Sequence, residues 1–322
     1  MGELVSAIIP TYNRAALLAR ALDSVAAQDY RPIEAVVVDD GSTDDTADVL
    51  AKYAASLPAR GVTLVTHRQQ NGRAPKARNA GMKLATGSIY AFLDSDDLWR
   101  PTFVSTLVRL LEQYPAAGLA FCAIAVIDPA DREVKLRETR LPPAPHAGVL
   151  ARPFETILKY MPTQTSGVMV RRGVVEDLGD FDLDLPVVED WDLWYRIGKA
   201  YDFAYTLDGL ACNREHPDNL PKYSIMALNS GLLMNLKHLP DVRDAEVRRM
   251  LTARIHWQLT LLREELLRTG QPANGYARLL RHEVAPRTVR YRVGAVMAKM
   301  PRFVGKAYAG VVRWMGERKR GR

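Results

Sequence analysis

Ile89-Tyr90-Ala91-Phe92-Leu93-Asp94-Ser95-Asp96-Asp97 places five apolar residues ahead of three carboxylates in four positions. The apolar run reads as a buried strand. Acids gathered where such a strand ends are costly unless something positive neutralises them. Clustered carboxylates suit hard divalent cations, which commonly partner phosphates as well. In open α/β sheets the ligand crevice lies beyond the carboxyl ends of the strands. The segment therefore points to a metal-bridged phosphate compound. A solvated acidic loop is the alternative, and the flanking sequence has to decide between them.

The flanks alternate between strand and helix signals. Leu4 to Ile9 is apolar and is expected to stop at Pro10. Arg14 to Ala27 carries apolar residues at helical spacing. Ile33 to Val38 reads as a second buried strand, and Gly41-Ser42-Thr43-Asp44 as a turn with helix-capping chemistry before a helix over 46–55. Val62 to Thr66 is a third strand and 74–85 a helix, which leads into the opening run. Alternation at this spacing predicts an α/β fold with a mostly parallel central sheet and helices on both faces. A helix to about Tyr114 and a strand over 119–127 follow. The stretch 128–150, with Pro129, Pro142, Pro143 and Pro145, reads as a long loop. Gly167 to Val170 is a short strand and Glu189 to Ala200 a helix. From Tyr223 the pattern is helical only, with pieces over 232–239, 245–267 and 276–284.

The chain has 322 residues, 48% hydrophobic and 25% charged, a globular composition with ample core. Cys122 and Cys212 match no metal or redox spacing and read as reduced core thiols of an intracellular protein. No signal-peptide pattern opens the chain, and the apolar stretch 116–127 is too short to span a bilayer. The charge is unevenly placed. Residues 281–322 hold 12 Lys and Arg against 2 Glu, net +10, whereas the first 280 hold 32 basic and 35 acidic residues, net −3. On a helical wheel from Arg302, basic residues take one face and Val304, Ala307, Tyr308, Val311 and Met315 the other. That is the pattern of a basic helix on an anionic membrane surface; a helix docked on the protein with a solvated basic face is the alternative. The acidic balance of the remainder argues against nucleic acid as partner.

Five strings in order carry a family resemblance: Ser6-Ala7-Ile8-Ile9-Pro10-Thr11-Tyr12-Asn13-Arg14; Val36-Val37-Val38-Asp39-Asp40-Gly41-Ser42-Thr43-Asp44-Asp45-Thr46; Asn71-Gly72 with Ala77-Arg78-Asn79-Ala80-Gly81; Asp94-Ser95-Asp96-Asp97; and Glu189-Asp190-Trp191-Asp192-Leu193-Trp194. Together they resemble the inverting family 2 glycosyltransferases of GT-A fold over roughly residues 4–220. The resemblance implies a GT-A domain over 1–220, with a helical extension over 221–285 and the basic tail over 286–322 lying outside it. The implied activity is a hexosyltransferase that moves a sugar from a nucleotide-diphosphate sugar, by family default a UDP-sugar, to a hydroxyl of a glycan or lipid-linked acceptor.

The resemblance also implies roles. Pro10, Tyr12, Asp40, Arg78, Asp94 and Ser95 line the donor, with Asp40 meeting the base. Asp96 and Asp97 face Mg²⁺ or Mn²⁺ and the diphosphate, and Asp190 is the catalytic base. Each has a plainer reading: Tyr12 stacks on a base or packs on the sheet, one of Asp39 and Asp40 caps a helix, and Arg78 grips diphosphate or makes a salt bridge. An extended backbone would put Asp94 and Asp96 on one side and Asp97 on the other. Glu189, Trp191 and Trp194 are acceptor-side candidates, with core packing open for either Trp. His216, after Arg214, completes a metal shell or is a loop residue. A homo-oligomer and a peripheral position on the cytoplasmic face of a membrane complete the expectation. A nucleotidyltransferase would want a glycine-rich loop after the first strand, where Pro10 to Arg14 has no glycine. A degenerate, non-catalytic binding protein is the third reading.

Overall fold

The computed structural model describes residues 2–137, 139, 141, 145–215 and 224–268. The chain divides into two compact units, Met1–Asn219 and Leu220–Arg322. The first is built on a ten-stranded sheet. Its elements in chain order are β1 (Val5–Thr11), α1 (Ala15–Ala26), β2 (Ile33–Asp39), α2 (Thr46–Ser56), β3 (Val62–Arg68), α3 (Arg73–Leu84), β4 (Ile89–Phe92), β5 (Leu98–Trp99) and α4 (Phe103–Gln113). Then come β6 (Ala117–Ile127), β7 (Glu133–Leu136), β8 (Ala147–Leu150), α5 (Phe154–Lys159), β9 (Val168–Arg171), α6 (Arg172–Leu178), α7 (Glu189–Ala200) and β10 (Asp202–Arg214).

The strand order is β3-β2-β1-β4-β9-β6-β10-β5, with β7 on β6 and β8 on β10. β1 pairs in parallel with β2 and β4, β2 with β3, and β6 with β10. β9 runs antiparallel between β4 and β6. β1, β2, β4 and β6 are buried along their whole lengths, which explains why they are largely apolar, with Ser6 and Glu34 as buried polar exceptions in β1 and β2: both faces are covered. Val5, Ala7 and Ile9 pack with Leu18, Leu22 and Val25 of α1 and with Leu107 and Leu111 of α4 in one core. On the other face α3 lies close to β1, where a Cβ on Gly81 would meet Ile8 Cγ2 at 2.7 Å.

Chain direction puts the site where it is. From β1 the chain steps to β2 and β3 on one side, then returns to place β4 on the other. The order therefore reverses at β1, and a crevice opens beyond the carboxyl ends of β1 and β4. Those ends carry Tyr12 and Asp94.

Three expectations need correction. Pro10 lies inside β1, paired with Val38, rather than ending it. Ile8 of the same parity accepts from the Leu93 N–H towards β4, and β4 pairing ends at Phe92. The missing Pro10 N–H therefore faces a side with no ladder bond to lose. The stretch 128–150 holds the strands β7 and β8, because Glu133-Val134-Lys135-Leu136 returns antiparallel along β6. Asp94–Asp97 is a turn closed by Asp97 N–H on Asp94 C=O (3.0 Å), so strand-like alternation of its side chains does not apply.

In the second unit, α8 (Ile225–His238) and α9 (Ala245–Arg268) are joined through a 3₁₀ turn, Leu239–Asp241, at Pro240. The Ser224 hydroxyl caps α8 by accepting from the Ala227 N–H. The expected helix over 276–284 and the basic tail lie outside the described residues.

Candidate active site

Asp94, Asp96 and Asp97 leave the β4 end in three directions, each met by a different partner. Asp94 Oδ1 accepts from Arg78 Nη2 at 2.5 Å. Asp96 pairs with Arg14, from the start of α1. Asp97, 3% exposed, points inward. It accepts from Ser166 Oγ at 2.6 Å and from Asn213 Nδ2 and Arg214 N–H, each at 3.1 Å. Burial first, and then the charges of Asp96 and Asp94, push the Asp97 carboxyl up to about 8. Ser95 is buried in the same turn.

Arg78 is buried at the centre. Besides Asp94 it pairs with Glu189, the first residue of α7, and its guanidinium lies 5.6 Å from the Phe181 ring centre. Burial works against its charge, but Asp94 and Glu189 outweigh that and hold it ionised. A neighbour secures this packing: Asn79 accepts from Phe181 N–H and donates to Phe181 C=O. Arg78 therefore ties the Asp94 turn to the start of α7, with two of its nitrogens engaged by these carboxylates.

Asp190 is half-buried at the first turn of α7. Its carboxylate accepts from Thr165 Oγ1 at 2.7 Å and from the Trp191 N–H at 2.8 Å. Burial raises its proton affinity, while Thr165, Arg78 and the Trp191 N–H pull the other way without cancelling the rise. Burial likewise pushes Glu189 up to about 7, opposed by Arg78 and assisted by Asp190. Trp191 is half-buried. Trp194 is 1% exposed and packs on Phe92 and Phe181 with ring centres 5.9 and 6.2 Å away. Its ring belongs to the core, and Glu189 sits behind Asp190 on Arg78 rather than on an open face.

On the β1 side, Tyr12 is 46% exposed just past the strand, free to present its face. Asp40 is buried, and both its oxygens are engaged. It accepts from Gln69 Nε2 (2.7 Å), the Gly72 N–H (2.9 Å) and the Arg73 N–H (2.7 Å). Asp40 thus caps α3 from another segment, and little acceptor capacity remains for a base. Asp39 also works internally, accepting from the Ser42 N–H at 2.8 Å. Asp44 receives the first N–H of α1, from Ala15. Gly41 holds φ +87°, and a Cβ there would crowd Gln69 C=O at 3.2 Å.

An open cleft of about 630 Å³ runs along Asn13, Arg14, Asp44, Asp45, Pro129 and Arg214. Arg214 donates through Nε to Asp96 C=O and pairs with Asp131, which anchors the 128–131 turn beside that cleft. His216 lies outside the described residues. Arg14, Thr165, Ser166 and Asn213 meet the site's acids, although the motifs mark none of them for a role. Arg14 was visible within its motif, but Thr165 and Ser166 carry no spacing signal, because they meet the acids through β9 running antiparallel to β4.

Five carboxylates (Asp94, Asp96, Asp97, Glu189, Asp190) and three guanidiniums (Arg14, Arg78, Arg214) thus share one region. Among the described residues no group of three or more His, Cys, Asp or Glu is arranged to hold a metal ion. Mg²⁺-type sites commonly use one or two carboxylates plus substrate phosphates and water. Asp96, partly exposed in an acid-rich turn whose excess charge already raises Asp97, fits that kind of donor set.

A sheet whose order reverses beside an acidic turn, followed by a mixed half with an acid-led helix, defines the GT-A class of nucleotide-sugar-binding folds. The model of the family described as "Glycosyl transferase family 2" matches residues 6–179, more than half of the chain, and the protein belongs to that family. An uncharacterized glycosyltransferase of Nostoc sp. is 34% identical over 230 residues, 71% of this chain and 66% of that protein. The chain thus spans just under two thirds of that relative's length. Staphylococcus aureus TarS 1-349, solved with UDP, superposes with a TM-score of 0.60 at 18% identity over 96% of this chain and 92% of that one. The mannosyltransferase PcManGT from Pyrobaculum calidifontis, solved with GDP-Man and Mn²⁺, gives 0.60 at 19% identity over 98% and 81%. These two likenesses speak to the fold. Among the described residues no helix is long and apolar enough to cross a membrane.

Proposed function

We propose that the protein is an inverting glycosyltransferase that moves a sugar from a nucleotide-diphosphate sugar, UDP-linked as the first choice, to a hydroxyl of a glycan or lipid-linked acceptor. The observation that carries this reading is Asp190: a half-buried carboxylate of raised proton affinity, one salt-bridged Arg78 away from the Asp94 turn. The donor lies across the carboxyl ends of β1 and β4. Tyr12 offers a face to the base, where stacking contributes roughly 1–3 kcal/mol. Asp94 serves the nucleoside side, and Arg14 and Asp96 the diphosphate side.

Asp190 takes the proton of the acceptor hydroxyl as that oxygen bonds to the anomeric carbon. The bond from that carbon to the diphosphate breaks with its electron pair leaving on the nucleotide, so an α-linked donor yields a β-linked product. Its raised proton affinity makes Asp190 a stronger base than an ordinary carboxylate at neutral pH. Arg78 keeps Glu189 and Asp94 from repelling it without limit. A Mg²⁺ or Mn²⁺ held by Asp96, with Asp97 behind it, would neutralise the departing diphosphate as a Lewis acid. The +10 tail over 281–322 suits an anionic membrane surface, which would bring a lipid-linked acceptor within reach.

A thermal-shift screen of UDP, GDP, dTDP and their sugars with Mn²⁺ tests the donor class, since binding to the folded state raises stability by mass action. Asp190→Asn is expected to retain the donor shift and lose transfer. Near wild-type transfer by that variant would defeat the base assignment. Chelation that left transfer unchanged would defeat the metal. Full activity on lipid-linked acceptor and no vesicle binding, with or without residues after 285, would defeat the membrane role of the tail.

A further inference from the structure

Between β8 and β9 the chain makes a buried 3₁₀ turn, Thr165–Gly167, whose two hydroxyl residues face different acids. Thr165 Oγ1 donates to Asp190 Oδ2 at 2.7 Å. Ser166 Oγ donates to Asp97 Oδ2 at 2.6 Å and accepts from the Asp94 N–H at 3.1 Å. The two contacts follow from topology. β9 runs antiparallel to β4 with Met169 opposite Ala91. The residues just before β9 must then sit beside those just after β4, which are Asp94 to Asp97. Reaching over the turn from the other side is the start of α7.

The turn itself is held rigidly. Trp99 Nε1 donates to Ser166 C=O at 2.7 Å, and Thr163 Oγ1 donates to Cys122 C=O at 2.9 Å. A Cβ on Gly167 would meet Thr163 Oγ1 at 2.6 Å and Ile124 Cδ1 at 2.7 Å, so the backbone has no slack on that side. Thr165 and Ser166 are 5% and 2% exposed, so solvent cannot substitute for either hydroxyl.

We propose that Thr165 and Ser166 are positioning residues with divided duties: Thr165 holds Asp190 in the orientation that removes the acceptor proton, and Ser166 holds the Asp94–Asp97 turn in its donor-binding shape. The inference rests on the reading of Asp190 as the base. Thr165 on one carboxylate oxygen and the Trp191 N–H on the other leave Asp190 a single orientation. Misplacing a reacting group by about 1 Å can cost about a hundredfold in rate. Adjacent residues on one stiff turn also tie the two halves of the site together, so donor-side acids and base keep a common frame. The charged groups that face Asp190 are Arg78 from α3, Asp94 from the turn and Glu189 beside it on α7.

Two measurements on the full chain test this. The first is urea unfolding of Thr165→Val, Asp190→Ala and the double variant, with a parallel cycle for Ser166→Ala and Asp97→Ala, because an Asn would keep an oxygen able to accept the hydroxyl. Each pair is expected to couple by about fivefold or more in the unfolding constant, and Thr165→Ser to stay near wild type. Additive pairs would overturn the bonds on which the proposal stands.

The second is nucleotide release from UDP-glucose, UDP-GlcNAc and GDP-mannose with Mn²⁺, water serving as acceptor hydroxyl. Thr165→Val should lower kcat about tenfold or more with donor KM within about threefold, and move the acidic limb of the rate profile to higher pH. Thr165→Ser should restore both, and Ser166→Ala should raise donor KM more than it lowers kcat. Equal loss in kcat and KM from both variants would overturn the division of duties. An Asp190→Asn enzyme at wild-type rate would sink the base reading instead, whereas an inactive one beside an unchanged Thr165→Val would sink this inference alone. If none of the three donors is turned over, the unfolding cycles decide.

Discussion

Arg78 Nη2 lies 2.5 Å from Asp94 Oδ1, while the other arm of the same guanidinium holds Glu189. One buried cation on α3 therefore joins the acidic turn after β4 to the helix that carries Asp190. Removing one partner of a buried pair strands the others. Arg78→Met is expected to lower stability by about 3 kcal/mol or more, measured by urea unfolding. Arg78→Lys supplies charge without the fork and should recover only part of that loss. Wild-type stability in both would mean the pairs are not formed.

Asp97 gives the fold a pH signature. Its folded-state value, about 8, lies above the ordinary carboxylate value of 3.8, so the folded state binds the extra proton between those limits. Stability from this group is then fully present at low pH and declines as pH rises from about 4 towards 8. Asp97→Asn removes the titration and should flatten the decline by at least about 1 kcal/mol between pH 5 and 7, read from urea midpoints across pH. An unchanged slope would show that Asp97 is ionised in the folded protein.

Glu34 has the opposite sign. Burial opposes its charge, but Ser6 Oγ, the Thr86 N–H and hydroxyl, and the Gly87 N–H outweigh it and hold the carboxyl below its usual range. Its contribution is present above the unfolded value of 4.5 and is lost as pH falls through the folded one. Glu34→Ala strands those donors and should cost roughly 1–3 kcal/mol at pH 7, with the difference from wild type narrowing in acid. A pH-independent difference would assign the loss to packing alone.

Asp40 separates a capping role from a base-reading one. Asp40→Asn keeps one acceptor oxygen, while Asp40→Ala uncaps α3 and should lower stability by about 0.5–2 kcal/mol. If capping is its work, donor affinity should follow the stability loss, and both should be milder in Asn. Large loss of nucleotide binding in Asp40→Asn at wild-type stability would instead place the carboxylate on the base.

Tyr12→Ala should weaken nucleotide binding by roughly 1–3 kcal/mol while Tyr12→Phe stays near wild type, since stacking needs the ring and not the hydroxyl. Calorimetric titration with UDP and Mn²⁺ reads this directly. Because Tyr12 is 46% exposed, neither change should alter stability much.

Strand and helix alternation through β4 was legible in the chain because β1, β2 and β4 are covered on both faces and so are largely apolar, with Ser6 and Glu34 the buried exceptions. α7 was equally legible, and its span, Glu189–Ala200, is the one expected from the chain. β7 and β8 were not, because exposed edge strands lack a buried face to impose a pattern. Pro10 misled as a stop, since its tolerance depends on where the neighbouring strand ends. The two Trp residues of α7 looked alike in sequence, and packing alone separated buried Trp194 from half-buried Trp191.

The family, the sheet's parallel half and the identity of the acids are readable along the chain, because backbone period and motif order are local properties. What each acid touches was decided by tertiary structure. Asp40 turned to α3, Asp97 turned inward to Ser166, and Asp190 met Thr165, because those partners lie between 25 and 69 residues away along the chain and are brought together only by strand order. A carboxylate's chemistry is set by its burial and its donors, and neither is written in its neighbours along the chain.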